Sequence, residues 1–333
     1  MTERIDVAVF GAGRIGTIHA GNLARHARAR LRCVVDTNTA AAAALAERHG
    51  ARVASADEAL ADPAVRAVLI CSSTDTHADL IQRAAAAGKA IFCEKPVDLD
   101  VARARACAAA VRAAGVTCMI GFQRRFDPTF AALKARLDAG EIGTPETLVI
   151  TSRDPAPPPV DYLVRSGGVF KDLLIHDFDI FRWILGDEAV TVHAIGGCPG
   201  LPEVAAAGDL SHTAVTLRTR GGALCQINTS RRAAYGYDQR FEVLGSRGLL
   251  QAGNVRPTQV VAWGERSISS DKPEAFFLER YREAYALEIE HFLDALCHGA
   301  PVRTTIEDGI KALELAELAT RSWREGRAVD IGA

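Results

Sequence analysis

An apolar run, Ile5–Phe10, leads straight into Gly11-Ala12-Gly13-Arg14-Ile15-Gly16 and then into a helical stretch reaching about His26. A strand, a G-x-G-x-x-G turn and a helix in that order leave few folds open. The first glycine permits the tight turn, and the second lets a pyrophosphate approach the backbone. The third allows close helix–strand packing, with the helix N-terminus facing the anion. A second strand, expected over 31–35, ends in Asp36, twenty residues after Gly16. A carboxylate there accepts hydrogen bonds from adenosine ribose hydroxyls and repels a 2′-phosphate. With Thr37 and Asn38 next and no Arg or Lys beside it, NAD is favoured over NADP. The plainer alternative, a glycine turn with no ligand, loses ground once Asp36 is counted.

The alternation continues. A helix over Thr39–His49 ends at Gly50, a short strand lies near 52–54, and a helix covers Ala56–Ala61. A strand over 68–72 leads into Ser73-Thr74-Asp75-Thr76-His77 and a helix to Ala87. Ser72, Thr74 and His77 thus sit at the carboxyl end of a strand, where open α/β sheets bind ligands. A strand over 90–93 runs into Glu94-Lys95-Pro96, a helix over 98–114 follows, and a strand over 117–122 ends at Gln123-Arg124-Arg125. Repeated β–α units of this length imply a doubly wound, mostly parallel sheet. Glu94, Lys95 and Gln123 join Gly11, Gly13, Arg14, Ile15, Gly16 and Asp36 as cofactor-binding candidates. Lys95, just past a strand end, can reach a substrate oxygen beside a nicotinamide. Its plain alternative is a surface lysine paired with Glu94. The sequence leaves the isomer of the Lys95–Pro96 bond open.

At 333 residues the chain favours two domains, expected at 1–122 and 123–333. Its formal charge of −2, without a basic or acidic block, argues against nucleic acid or an anionic membrane as partner. Eight cysteines with no C-x-x-C pair read as small buried thiols of a reducing cytosol, not as disulfides or a zinc site. No secretory signal and no apolar run of about 18 residues is visible, so a cytoplasmic protein with no membrane span is expected.

After a helix over 128–139 and a turn at Gly143 the pattern changes. A strand over 147–152 meets the rigid loop Arg153-Asp154-Pro155-Ala156-Pro157-Pro158-Pro159. Residues 167–179 then read GGVFKDLLIHDFD. Taken as one helix, Asp172, His176 and Asp179 fall within about 60° of one another. Leu174, Phe178 and Phe181 point the opposite way. So apolar a helix is buried, and buried carboxylates need partners or a cavity. An acid beside a histidine there is either a general base or an Asp–His hydrogen bond that only locks packing. Strands follow over 190–195, 213–219, 223–229, 241–244, 249–252 and 259–263, with a hairpin turn at 245–248. They predict an α+β domain with a large open, mainly antiparallel sheet. Two amphipathic helices, 276–298 and 305–325, close the chain, the last expected to pack back on the N-terminal domain. The uncovered sheet face suggests self-association.

With GAGRIG, CEKP and GG…D…HDFD laid out, nearly the whole chain resembles the glucose–fructose oxidoreductase/inositol dehydrogenase family. GAGRIG alone is weakly specific; CEKP with the helical D-x-x-x-H is strongly so. GFQRRFD at 121–127, SRDPAPPP at 152–159 and YGYDQRFEVLGSRGLLQAGN at 235–254 resemble bacterial myo-inositol 2-dehydrogenases in particular. The resemblance implies an N-terminal NAD-binding Rossmann domain and a C-terminal open-faced sheet domain, assembled as a homotetramer. It also implies that Lys95 lies between substrate and nicotinamide and that Asp172 and His176 are the catalytic pair. Arg124, Asp179 and Tyr235 match positions near the substrate, and Asp154 lies in a variable loop as a further candidate. Gln123 departs from an apolar residue of some relatives, which bears on substrate preference.

The expected activity is oxidation of a cyclitol hydroxyl with NAD, myo-inositol first. Scyllo-inositol, another isomer or a pyranose sugar are alternatives sharing the dyad, and a non-catalytic NAD-binding regulatory module is a distant one. A metal site in HDFD is not expected, because no further His or Cys cluster completes a coordination shell.

Overall fold

The computed structural model describes residues 4–332. The chain divides into two compact units. One runs through Phe126 and takes in Ala284–Leu313; the other spans Asp127–Glu283 and the chain from Glu314 onward.

The first unit is built on a six-stranded sheet in chain order 3-2-1-4-5-6. Its strands are Ile5–Phe10, Ala29–Val35, Arg52–Val53, Val65–Ile70, Ala90–Glu94 and Cys118–Gly121, every neighbouring pair parallel. Ile5–Phe10 is buried along its whole length, as a central parallel strand covered on both faces must be. The order reverses between the first and fourth strands, so the crevice at a switch point opens over Gly11. Local capping explains where the helices begin. Ser55 and Glu58 form a reciprocal capping box before Ala56–Ala61, and Asp100 accepts from the N–H groups of Ala102 and Arg103. That cap moves the expected 98–114 helix to Val101–Ala114. The fourth strand is Val65–Ile70, three residues earlier than expected, which leaves Cys71 and Ser72 to the loop.

The second unit carries a seven-stranded sheet. In spatial order the strands are Gly248–Ala252, Asp238–Gly245, Pro145–Arg153, Leu224–Ser230, His212–Thr219, Ala189–Gly197 and Val329–Asp330. All neighbours are antiparallel except Pro145–Arg153 and Leu224–Ser230, which run parallel with Ser230 opposite Arg153. The helix Leu174–Leu185 packs on these two strands. Leu148, Ile150, Cys225, Ile227, Phe241 and Val243 point into the core, while Val149, Leu224, Leu244 and Leu249 stay exposed. Alternate residues along these strands thus take opposite faces, a pattern that carries no information on which strand lies beside which.

Three expectations need correction. The strand expected over 259–263 does not join the large sheet; Val261–Trp263 pairs with Ile268–Ser270 in a separate hairpin, all six residues exposed. Two short helices, Val160–Arg165 and Pro202–Ala206, were not anticipated. The helix expected over 276–298 is two, Phe277–Arg280 and Arg282–His298. All eight cysteines are free thiols, and six are buried. No helix among the described residues is long and apolar enough to cross a membrane.

Candidate active site

In the first unit, Gly11 takes φ +105°, and a Cβ there would lie 2.5 Å from the Cys71 carbonyl oxygen. A Cβ on Gly16 would lie 1.9 Å from the Gly11 carbonyl oxygen. At Gly13 a Cβ would meet nothing within 4 Å among the described residues. Two glycines are therefore required by the turn itself, whereas the third keeps a space clear outside it. The helix Arg14–Arg25 starts at that point with no side-chain cap and no acidic residue in its first turn, so its leading N–H groups face an anion's place. Asp36 is fixed beside them: its carboxylate accepts from the N–H of Ala12 at 2.6 Å and of Asn38 at 2.7 Å. Each oxygen keeps lone-pair capacity for a ribose hydroxyl. These residues fit a dinucleotide.

The adjoining loops are tied together. The hydroxyls of Ser72 and Thr76 lie 2.6 Å apart, and Thr74 opens the single turn Thr74–Thr76. His77 is buried, with Nδ1 2.7 Å from the Pro96 carbonyl oxygen and Nε2 3.1 Å from that of Ser72. Burial pushes its pKa down, and a neutral imidazole has one N–H to donate. That N–H bonds one of the two carbonyls, and the buried ring braces the Ser72 loop against the Lys95–Pro96 turn by filling the space between them. The Lys95–Pro96 peptide is cis.

Glu94 reaches inward to the helix Arg14–Arg25. Its Oε1 lies 2.7 Å from Nε2 of His19, which packs edge-on against Phe92 and Tyr285. Glu288 Oε1 is 3.8 Å from the same nitrogen, and its carboxyl is wholly buried. His19, Glu94 and Glu288 have the residue types of a cation site. The direct hydrogen bond between the first two, however, occupies the place of an ion. Burial, then the charge of Glu94, pushes the pKa of the Glu288 carboxyl well up. Gln123 and Arg124 are buried in the turn Gln123–Phe126. Arg125 beside them donates to the Arg303 carbonyl and to Asp308.

In the second unit, the helix expected to run through 167–179 is two segments, Val169–Asp172 and Leu174–Leu185. Leu173 joins them at φ −95°, ψ −55°, still in the right-handed region, so the path bends and does not break. Gly167 and Gly168 precede it at φ +81° and +82°, which non-glycine residues rarely adopt. His176, Asp177 and Asp179 are all buried, as are Leu174, Phe178 and Phe181.

Asp172 is held by groups that sequence reasoning missed. Its Oδ1 accepts from the Tyr162 hydroxyl at 2.8 Å, and its Oδ2 from Nη1 of Arg231 at 3.1 Å. Nη2 of Arg231 donates to Oδ2 of Asp209 at 2.8 Å, and Oδ1 of Asp209 accepts from the N–H of Val169 at 2.8 Å. Arg231 is wholly buried. Burial alone would lower its pKa, but Asp172 and Asp209 outweigh it and hold the guanidinium charged. Tyr162 is pushed up by burial of its hydroxyl and then by the charge of Asp172, so it stays a donor. Asp154 follows one parallel strand and Arg231 the other, and Asp154 also favours the charged Arg231. Tyr235 donates to Asp238 at 2.6 Å and accepts from Arg153 at 2.9 Å. Tyr162 and Arg231 lie 10 and 59 residues from Asp172, and no local spacing rule reaches so far.

A family model described as an oxidoreductase family with an NAD-binding Rossmann fold matches residues 5–122. The model of its C-terminal alpha/beta domain matches residues 134–331. The chain belongs to this family. It is 48% identical over 332 residues to the inositol 2-dehydrogenase of Rhizobium meliloti (strain 1021), covering 99% of this chain and 100% of that one. It is 38% identical to the scyllo-inositol 2-dehydrogenase (NAD(+)) of Bacillus subtilis (strain 168), with 99% and 97% covered. Among solved structures, a myo-inositol dehydrogenase from Corynebacterium glutamicum ATCC 13032 superposes with a TM-score of 0.95 at 42% identity, over 99% of both chains. The chain is thus an NAD-binding oxidoreductase of the inositol dehydrogenase family, with the Rossmann and open-sheet architecture that its motifs implied.

Proposed function

We propose that this enzyme oxidises the 2-hydroxyl of myo-inositol to the ketone, 2-keto-myo-inositol (scyllo-inosose), with NAD⁺. The observation that carries the reading is Asp172, fixed by Tyr162 and Arg231 at the end of the segment that leads into the helix of buried His176. A fixed carboxylate one turn before an imidazole supports a general base, since it favours the charged imidazole formed when the proton is taken. His176 takes the hydroxyl proton as the C–H bond breaks. Asp172 orients the ring, and Lys95 donates to the reacting oxygen. NAD⁺, when bound, supplies the acceptor for the hydride, so an alcohol and NAD⁺ become a ketone, NADH and a proton. Gly11, Gly13, Arg14, Ile15, Gly16, Asp36, Ser72, Thr74, Glu94, Lys95 and Gln123 hold the cofactor, with His77 acting through the loop that it braces. Arg124, Asp154, Asp179 and Tyr235 supply donors and acceptors for a ring that offers only hydroxyls.

A second reading, scyllo-inositol as substrate, draws support from the 38% identical relative named for it. NADH formation measured across inositol isomers and hexoses, with NAD⁺ and NADP⁺, separates the two. His176→Ala should lower kcat by about 10²–10⁴-fold with NAD affinity nearly unchanged. Unaltered turnover in that variant refutes the role. We also infer self-association through the exposed sheet face bearing Val149, Leu224, Leu244 and Leu249. A monomer by light scattering would refute it.

A further inference from the structure

We propose that Arg231, shared between Asp172 and Asp209, is a positioning residue for the Asp172–His176 pair, with Asp209 and Tyr162 completing the support. The inference rests on the dehydrogenase reading above and adds residues that the motifs do not contain. Arg231 and Asp209 are buried, so their positions are set by packing and not by solvent. The guanidinium bonds Asp172 through Nη1 and Asp209 through Nη2. Asp209 also anchors the N–H of Val169, the first residue of the helical segment that ends in Asp172. One carboxylate thus fixes both the backbone entry to that segment and the cation gripping its last side chain.

The charge count gives Asp209 a second consequence. A guanidinium paired with Asp172 alone would cancel the negative charge that an imidazolium needs. Shared between two carboxylates, it leaves Asp172, Asp209 and Arg231 together with one negative charge in excess, while its fork still fixes the Asp172 oxygen. Charged and titratable groups near Asp172 in this unit include Tyr162, Arg231 and, through it, Asp209 and Asp154. Tyr162 donates to the oxygen that Arg231 does not hold.

The test uses the full-length enzyme with Arg231→Gln, Arg231→Lys, Asp209→Asn and Tyr162→Phe. In Arg231→Gln, kcat should fall by about 100-fold, the scale of a misplaced catalytic group, with the Kd for NAD within about twofold of wild type. Arg231→Lys should recover about tenfold of that loss. The solvent deuterium isotope effect on kcat should rise in Arg231→Gln, because proton removal becomes slower. A merely structural defect reduces the active fraction and leaves the isotope effect alone. Asp209→Asn keeps an oxygen for Val169 and removes one charge, so it carries the test if Arg231→Gln does not fold. In the resting protein, its His176 ring nitrogen resonance, assigned by its loss in His176→Ala, should move toward the neutral form. That measurement needs no substrate. If the wild type oxidises no cyclitol, the dehydrogenase reading fails while the resonance still reports on the network. Folded variants with kcat within about twofold of wild type, or with an unmoved His176 resonance, overturn the proposal.

Discussion

One methyl group added at Gly13 and, separately, at Gly16 divides the two tasks of the Gly11–Gly16 turn. Gly13 has φ −73° and ψ −166°, an extended conformation open to any residue, and its added Cβ meets nothing within 4 Å. Alanine is a poorer N-cap than glycine by roughly 0.5–1 kcal/mol. It also restricts the unfolded chain, which returns about 0.4–1 kcal/mol. The two effects nearly cancel, so Gly13→Ala should unfold within about 1 kcal/mol of wild type. The same methyl group stands where the backbone must be bare for a pyrophosphate to approach. NAD binding should weaken at least tenfold, or about 1.4 kcal/mol.

Gly16→Ala should behave in the opposite way. Its Cβ falls 1.9 Å from the Gly11 carbonyl oxygen, and ordinary contact begins at 3.4 Å, so backbone must shift by 3.4 − 1.9 = 1.5 Å. Overpacking of that kind costs about 1–3 kcal/mol, read as a lower urea midpoint without any ligand present. Urea unfolding of both apo variants, followed by calorimetric titration with NAD⁺, makes the comparison. The reasoning is refuted if Gly13→Ala binds NAD within about twofold of wild type, or if it loses as much stability as Gly16→Ala.

Removing the Asp36 carboxylate with Asp36→Ala should weaken NAD and raise relative use of NADP by about tenfold or more, because the repulsion of a 2′-phosphate goes with it; an unchanged NADP/NAD ratio of kcat/KM contradicts this. Glu288 gives a pH-dependent stability. Its folded carboxyl is pushed above the unfolded value by burial and then by Glu94. Below the unfolded pKa both states hold the proton. As pH rises past it, only the unfolded chain ionises, and stability falls by about 1.4 kcal/mol per pH unit until the folded group titrates. Glu288→Gln cannot titrate, so its stability relative to wild type should climb between pH 5 and 8; a constant difference in unfolding midpoints counts against a buried protonated acid. Arg280 is buried against Asp127, with its guanidinium carbon 5.0 Å from the Phe130 ring centroid and 4.9 Å from that of Tyr281. Arg280→Met should cost about 3–5 kcal/mol by leaving Asp127 unpaired, and adding Asp127→Asn should restore part of it; equal stabilities of single and double variants would show no coupling.

The legible parts of this molecule are those set by short-range patterns. The parallel sheet follows from strand–helix repeats, and the cofactor turn from glycines whose spacing is itself the constraint. Other parts depend on pairings between distant residues. The parallel pair Pro145–Arg153 and Leu224–Ser230 lies side by side although 70 residues separate the end of one strand from the start of the next. Nothing in either run names its neighbour. The short helix Val160–Arg165 starts directly after Pro157-Pro158-Pro159, and proline before a helix was an available but unused signal. That helix carries Tyr162 to Asp172, so overlooking it also hid a partner of the dyad. Glu94 was weighed as a surface partner for Lys95, and its bond to His19, 75 residues away on another element, had no local signal.

The same division appears in both units and bears on how the chemistry is kept in register. Lys95 follows Glu94, which is tied to buried His19; the segment ending in Asp172 is tied to buried Arg231 and Asp209. In each case the motif contains the group proposed to act, and residues outside the motif hold the backbone on which it stands. A side chain fixed by buried partners has lost its rotational freedom before any substrate arrives, so orientation is not purchased again at each turnover. Substitutions among these supports should therefore reduce turnover more than affinity. They act on the angle at which a proton is taken, and the surfaces on which cofactor and polyol rest are left in place.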